Sequence, residues 1–189
     1  MEKDIDVFYV GDLIEKAIIY FTRDKEVPIL SLQKAIFLFL YSYAVKNNHD
    51  YNEILKLAGF EPYKLGPFSE EVDGECDTLK GYDRLVIYKT GDNTVYKSKK
   101  NFTKDYTFDS IEKEVLNNVD MLLRKLSPME LTFYVYFHPV VDKNVRSYFT
   151  SSSILKDQLE KSQKHYLKSM ERKGIIDEEA KDMIIYGNN

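Results

Sequence analysis

Apolar side chains recur at helical spacing through the N-terminal third of the chain. From Val10 to Asp24 they mark one face of a predicted helix, and from Leu32 to Tyr43 they cover nearly every side of a second. We predict that the second helix is the central, most buried one, with Ser31 as its N-cap. A short helix from Tyr51 to Ala58 is predicted to end at Gly59. The side chains expected to be least accessible are Ile36, Phe39 and Leu40.

A Gly66-Pro67 corner and a short acidic helix follow. Because Gly66 precedes a proline, we expect it to adopt extended or positive-φ geometry, both of which glycine reaches easily. Ser69 is placed to cap the next helix, in which Glu70 and Glu71 lie favourably against the helix dipole. That helix has one narrow apolar face, formed by Val72, Cys76 and Leu79. Its cysteine is therefore predicted to be a small core residue rather than a reactive thiol.

The rest of the pattern predicts a β-hairpin and then more helices. β-branched and aromatic runs flank a turn from Gly91 to Asn93. Residues 127–139 have the aromatic and Thr content of a strand, yet their cap pattern and the closing Pro139 favour a helix. A long polar helix is predicted from Ile154 to Lys173, closed by Gly174. Helix starts are predicted at Asp109 with Glu112, at Ser127 with Pro128 and Glu130, and at Asp177.

A helix followed at once by a strand and a tight turn is typical of a winged helix. We therefore predict a mainly helical α+β protein. Residues 1–107 are expected to form a winged-helix-like unit with the hairpin as its wing, and residues 108–189 a helical C-terminal part packed on it, as a single domain overall. Composition agrees, since 189 residues allow one substantial core and 15 Tyr and 11 Phe argue against disorder.

Nothing in the sequence indicates secretion or membrane insertion. Cys76 is the only cysteine, so no intrachain disulfide can form. The acidic N-terminus lacks a signal pattern, and the longest apolar run, Ala35 to Tyr41, has seven residues. We expect a soluble cytoplasmic protein that does not bind membranes. The net charge of −4 sets no strong partner preference, so local charge matters more.

Local charge divides sharply between the acidic helix and the hairpin. The acidic helix carries Glu70, Glu71, Asp73, Glu75 and Asp77 without a base before Lys80, which disfavours its insertion into a DNA groove. The segment from Lys80 to Lys104 contains seven basic and two acidic residues, which gives it a local net charge of +5. This basic wing is the strongest nucleic-acid feature, although lysines on edge strands also serve to block aggregation. The candidate nucleic-acid-binding residues are Arg84, Lys89, Lys97, Lys99 and Lys100.

An acidic helix beside a basic wing makes a dipolar surface, which suits a charged protein partner better than a duplex. The aromatic residues Phe60, Tyr63 and Phe68 are of the type that anchors protein interfaces, and packing beneath the wing is the alternative. The candidate partner-binding residues are Tyr63, Gly66, Pro67, Phe68, Glu70, Glu71 and Asp73.

Sequence features of catalysis are absent. The three histidines lie far apart, and no nucleophile elbow, phosphate-binding glycine loop or dinucleotide fingerprint occurs. Glu70, Asp73 and Asp77 share one helix face that suits a hard cation, but a solvated acidic face is the simpler reading. We predict no enzymatic activity, no cofactor and no metal site.

The predicted C-terminal helix carries an apolar stripe close to a heptad pattern over about two heptads. Packing on the rest of the chain is the default expectation for this stripe, and homodimerisation is the second. The stripe consists of Leu155, Leu159, Ser162, Tyr166 and Met170.

Three short motifs resemble a prokaryotic group that includes the YwgA-like proteins and, more distantly, the Panacea or SocA-like antitoxin domain. They are "LSLQKAIFLFLY" at Leu30 to Tyr41, "FEPYKLGPFSEEV" at Phe60 to Val72, and "LSPMELTFYVYF" at Leu126 to Phe137. The matching positions are Leu32, Gln33, Lys34, Tyr63, Gly66, Pro67, Phe68 and Ser69. The resemblance covers roughly Val10 to Phe137 and implies a winged-helix-like fold.

The same resemblance implies a role without catalysis, since some members of the group neutralise toxins or serve as adaptors and none is established as an enzyme. We therefore expect a regulatory or adaptor protein that binds another protein, antitoxin-like by resemblance. The alternative is a DNA-binding winged-helix transcriptional regulator that uses the basic wing.

Overall fold

In a computed structural model of the protein, residues 5–186 are described, and they form an α+β fold of ten helices and two antiparallel sheets. The helices are α1 (Val7–Thr22), α2 (Ile29–Lys46), α3 (Tyr51–Leu57), α4 (Glu70–Gly81), α5 (Ser110–Lys125), α6 (Pro128–Phe137), α7 (Lys143–Thr150), α8 (Lys156–Lys161), α9 (Gln163–Arg172) and α10 (Glu178–Tyr186). The strands are β1 (Val27–Pro28), β2 (Phe60–Tyr63), β3 (Gly66–Ser69), β4 (Leu85–Thr90) and β5 (Asn93–Ser98).

Helix α2 is the centre of the core, as predicted. Ile36, Phe39 and Leu40 are each 0% exposed. The helix packs against α1, α3, α5 and α6, so the N-terminal and C-terminal parts of the chain share one core. Because α2 is surrounded by other helices, it carries apolar residues on every side.

The predicted N-cap of α2 was wrong. Ser31 lies buried inside the first turn, and the helix begins at Ile29. Pro28 occupies the N-cap position without a side-chain cap. The reason is that Val27 and Pro28 pair with β5, so the chain passes directly from a strand into the helix.

By length and composition alone, α2 is apolar enough to cross a membrane, with a mean hydropathy of 1.2 over 18 residues. In the folded chain 72% of that window is buried, and the core helix of a soluble protein passes the same test.

Two sheets frame the acidic helix. The predicted hairpin is confirmed: β4 pairs with β5, and β1 adds to the other side of β5, giving the order β1-β5-β4. The second sheet was not predicted. In it β2 pairs with β3, so the Gly66-Pro67 corner is the start of a strand. Pro62 lies opposite Pro67 in this hairpin.

The C-terminal part confirms the predicted capping boxes at Asp109 and Ser127, and Asp177 caps α10. The prediction of one long helix from Ile154 to Lys173 was wrong, because the helix is interrupted at Ser162 and forms α8 and α9 instead.

The break lets both short helices face the core. Leu159, Leu167 and Met170 are all buried, yet Leu167 would lie about 80° from Leu159 around a straight helix. The apolar stripe thus packs on its own chain, with Leu155 and Tyr166 half-buried against the core.

Replacing Phe39 by Ala should lower the free energy of unfolding by about 3–5 kcal/mol, because burial is lost and a cavity is left. Replacing Phe8 by Ala is the control, since Phe8 is 88% exposed on α1 and should cost little. Chemical denaturation measures both. A loss below about 1 kcal/mol for Phe39→Ala would contradict this description of the core.

Candidate functional site

Two buried polar side chains of α2 hold the backbone of β3. The Gln33 amide accepts a hydrogen bond from the Ser69 N–H (3.1 Å) and donates one to the Ser69 carbonyl (3.0 Å). The Lys34 ammonium donates to the Pro67 carbonyl at 2.9 Å. We call these contacts the corner clamp. They occupy the edge of β3 that faces away from β2, where a neighbouring strand would otherwise bind.

The clamp brings together two of the three motifs that carry the resemblance described above. Gln33 and Lys34 belong to the Leu-Gln-Lys motif, and Pro67 and Ser69 belong to the Gly-Pro-Phe-Ser motif. Both motifs are visible in the sequence, but their contact was not predicted. These residues are buried, so their visible role is to fix the backbone of the corner.

Ser69 joins three elements. Its hydroxyl accepts a hydrogen bond from the Val72 N–H at 3.1 Å, which confirms the predicted N-cap of α4. The same hydroxyl donates to the Ala58 carbonyl at 2.6 Å, at the end of α3. The start of α4 is therefore fixed relative to α3 and to β3.

Gly66 is required at its position for two reasons. Its φ of +91° is a left-handed conformation that residues with a Cβ rarely adopt. A Cβ there would also lie 2.7 Å from the Tyr136 ring on α6. The corner therefore packs directly against the C-terminal half of the chain.

Lys34 is a buried cation without an acidic partner. It is 1% exposed and forms no ion pair with any of the described residues. Burial lowers the pKa of its ammonium to about 7. The charged form is thus costly in the fold, and the neutral amine predominates above neutral pH.

A groove opens on the surface of this corner, with a volume of about 550 Å³. It combines an aromatic pair with three carboxylates, and none of the described residues that line it is a base. The Tyr63 and Phe68 rings lie 5.1 Å apart, and Tyr63 is 43% exposed. We call this the corner groove; its lining residues are Gly59, Glu61, Pro62, Tyr63, Phe68, Glu70 and Glu71.

The corner groove unites four of the seven predicted partner-binding residues: Tyr63, Phe68, Glu70 and Glu71. The other three are placed differently. Gly66 and Pro67 are buried in the corner, and the Asp73 carboxylate accepts a hydrogen bond from Gln33 at 2.9 Å.

Phe60 packs inside the fold instead of lining the corner groove. It is buried, with its ring 5.5 Å from Phe37 of α2.

A second groove of about 470 Å³ lies on the other side of β2 and shares Gly59 and Glu61 with the first. Its aromatic wall includes Tyr148, which is 59% exposed on α7. Tyr148 was not predicted as a site residue because α7 was not predicted, and its only signal in the sequence is the adjacent Tyr-Phe pair. We call it the Tyr148 groove; it is lined by Asn52, Leu55, Lys56, Gly59, Phe60, Glu61, Tyr148 and Phe149.

The predicted basic wing is not a single basic surface. Lys97 lies directly opposite Val86 and so shares its face of the hairpin, whereas Lys89, three residues beyond Val86, points to the other face. The Lys100 ammonium lies 4.9 Å from the centre of the Phe102 ring, beyond the last strand.

The other two candidate nucleic-acid-binding residues, Arg84 and Lys99, have partners in the fold. Arg84 donates to the Tyr106 hydroxyl at 2.6 Å. Lys99 forms an ion pair with Asp83. The positive charge of the hairpin is therefore divided between two faces and partly compensated.

Residues 5–186 contain no cluster of three or more His, Cys, Asp or Glu side chains suited to a metal ion. The predicted acidic face is interrupted, because Asp73 is hydrogen-bonded to Gln33. Cys76 is buried, as predicted, and burial raises the pKa of its thiol.

No family model, curated protein or solved structure matches the chain.

Replacing Lys34 by Met should remove a pH dependence of stability. Between about pH 7 and 10.5 the unfolded chain holds a proton at Lys34 that the folded chain lacks, so wild-type stability should rise with pH. From pH 7 to pH 9 the gain is about 2 kcal/mol. Urea denaturation at both pH values measures it.

The exposed Lys168 provides the matched control, and Lys168→Met should keep the wild-type pH dependence. Other titrating groups act equally in all three proteins and cancel in the comparison. An unchanged pH dependence in Lys34→Met would contradict the assignment.

Two glycine substitutions should have opposite effects. Gly66→Ala should destabilise the protein by about 2 kcal/mol or more, through its positive φ and the close Tyr136 ring. Gly74→Ala lies inside α4, where the new Cβ meets nothing within 4 Å apart from its chain neighbours and the nearby backbone of its own helix, and it should stabilise the protein by about 0.5–1 kcal/mol. Thermal unfolding compares them, and equal effects would show that the corner tolerates a side chain.

Proposed function

We propose that the protein is a non-catalytic regulatory or adaptor protein that binds a basic segment of another protein at the corner groove. The observation that carries this proposal is a groove in which the exposed Tyr63 ring and the half-buried Phe68 ring lie beside three carboxylates, with no base among the described lining residues. The carboxylates belong to Glu61, Glu70 and Glu71. Aromatic side chains supply interface anchors, and uncompensated carboxylates favour a partner of opposite charge.

The backbone beneath the groove supports this role. The corner clamp and the Ser69 hydroxyl hold β3 and the start of α4 in place before any partner arrives. A surface that is already ordered loses little conformational entropy on binding.

The two grooves together fit an extended segment. They lie on either side of β2 and share Glu61, so a partner chain that crosses the strand meets both. Its bases would contact the corner groove, and an apolar side chain would enter the Tyr148 groove beside Phe149.

A winged-helix-like unit at residues 1–107 is part of the proposal. The order α1, β1, α2, α4, β4, β5 with the sheet order β1-β5-β4 is consistent with that architecture. The segment of α3, β2 and β3 lies between α2 and α4 and contributes most of the corner groove. The resemblance to YwgA-like and Panacea proteins supports an antitoxin-like regulator.

A DNA-binding regulator is the second candidate, favoured by the exposed Lys89 and Lys97 on the hairpin. The division of these lysines between opposite faces argues against it, because a phosphate backbone would contact one face at a time.

Selection of peptides from a random display library on the wild-type protein should yield basic sequences with an aromatic or aliphatic anchor. Glu70→Lys with Glu71→Lys should weaken their binding about tenfold or more, because like charges then oppose each other. Glu178→Lys with Glu179→Lys is the matched control: the same charge change in the first turn of another helix, which should leave binding unchanged.

Duplex DNA is tested in parallel across a range of salt concentrations. Sequence-selective DNA binding that is lost when Lys97, Lys99 and Lys100 are removed would contradict the proposal and favour the second candidate. Peptides selected without a basic bias would contradict it as well.

A further inference from the structure

Arg146 on α7 is a poorly compensated cation. One terminal nitrogen of its guanidinium donates to the Phe137 carbonyl at 2.6 Å, while the buried Nε has no hydrogen-bond partner among the described residues. Within residues 5–186 no carboxylate forms an ion pair with it. Leaving a buried donor of a charged group unpaired is costly.

The groups around Arg146 leave its positive charge only partly compensated. Burial lowers the pKa of its guanidinium, and the nearby Asp142 acts against that shift. However, the Asp142 carboxylate caps α7, accepting from the Asn144 N–H at 2.8 Å and from the Val145 N–H at 3.4 Å. It is therefore not directed to the arginine alone.

A cavity of about 170 Å³ adjoins this arginine between α6, α7 and α8. Among the described residues, three bases and one acid line it, together with three hydroxyl side chains. The volume is below that of ordinary ligand pockets, at roughly 300–1,000 Å³, so the cavity suits one charged group rather than a whole metabolite. The lining residues are Tyr136, Phe137, Lys143, Arg146, Ser147, Thr150, Lys156 and Glu160.

We propose that this cavity is an anion site that binds a phosphate group through Arg146 and Lys156. The planar guanidinium of Arg146 matches the geometry of an oxyanion. Because a second base is present, the site complements a doubly charged phosphate better than a singly charged carboxylate ligand. The exposed Ser147 hydroxyl supplies a further donor. This site is separate from the corner groove and does not depend on the proposed function.

Calorimetric titration with inorganic phosphate at constant ionic strength tests the site. The wild-type protein should bind phosphate saturably, and Arg146→Met should weaken that binding about tenfold or more. Glu160→Gln should strengthen binding, because it removes the one acid that lines the cavity. Lys168→Met, at an exposed position on α9, should change nothing.

Lys156→Met keeps the test decisive if Arg146→Met fails to fold, because Lys156 is exposed and forms no ion pair among the described residues. It should weaken phosphate binding severalfold. The affinities for phenyl phosphate and for inorganic phosphate distinguish the source of the phosphate group. If phenyl phosphate binds more tightly, the ligand is a phosphate carried on a larger molecule; if the two affinities are equal, it is the free ion. The proposal would be overturned if the wild-type protein showed no saturable phosphate binding. It would also be overturned if Arg146→Met and Lys156→Met bound phosphate with the wild-type affinity.

Discussion

The hydrogen bonds from Gln33 and Lys34 to the backbone of β3 are the contact on which the rest of the structure depends. Helix α2 is buried on all sides, so a polar side chain on it must find a partner inside the fold. The outer edge of β3 has the complementary need, because backbone groups removed from water require partners. The Gln33 amide and the Lys34 ammonium are hydrogen-bonded to the backbone of β3, so these polar groups of the helix and of the strand edge have partners. These hydrogen bonds join the central helix and the surface corner into a single unit.

The surface features follow from that unit. Since Ser69 is held by Gln33 and bonded to Ala58, α4 starts from a fixed point and presents Glu70 and Glu71 at the corner groove. Gly66 permits the close approach of Tyr136, which joins the corner to the C-terminal half. The buried ammonium of Lys34 is the energetic weakness of the arrangement at and below neutral pH.

Local patterns predicted much of the fold, since caps and turns are encoded by neighbouring residues. Ser127 with Glu130 and the turn at Gly91 are such cases. The pairing of β2 with β3 and the break at Ser162 were not predicted, because both depend on packing against other parts of the chain. For the site, residue types indicated the acidic and aromatic lining, but Gln33 and Ser69 lie 36 positions apart and no local pattern shows their contact.

Hydrogen exchange at the Ser69 amide tests the central role of the clamp most directly. In the wild-type protein this amide should exchange only with global unfolding, because it is buried and bonded to Gln33. In Gln33→Ala it should exchange by local opening, at least about tenfold faster, while the amides of α5 keep their protection. Equal protection of the Ser69 amide in both proteins, or its rapid exchange in the wild type, would contradict the account.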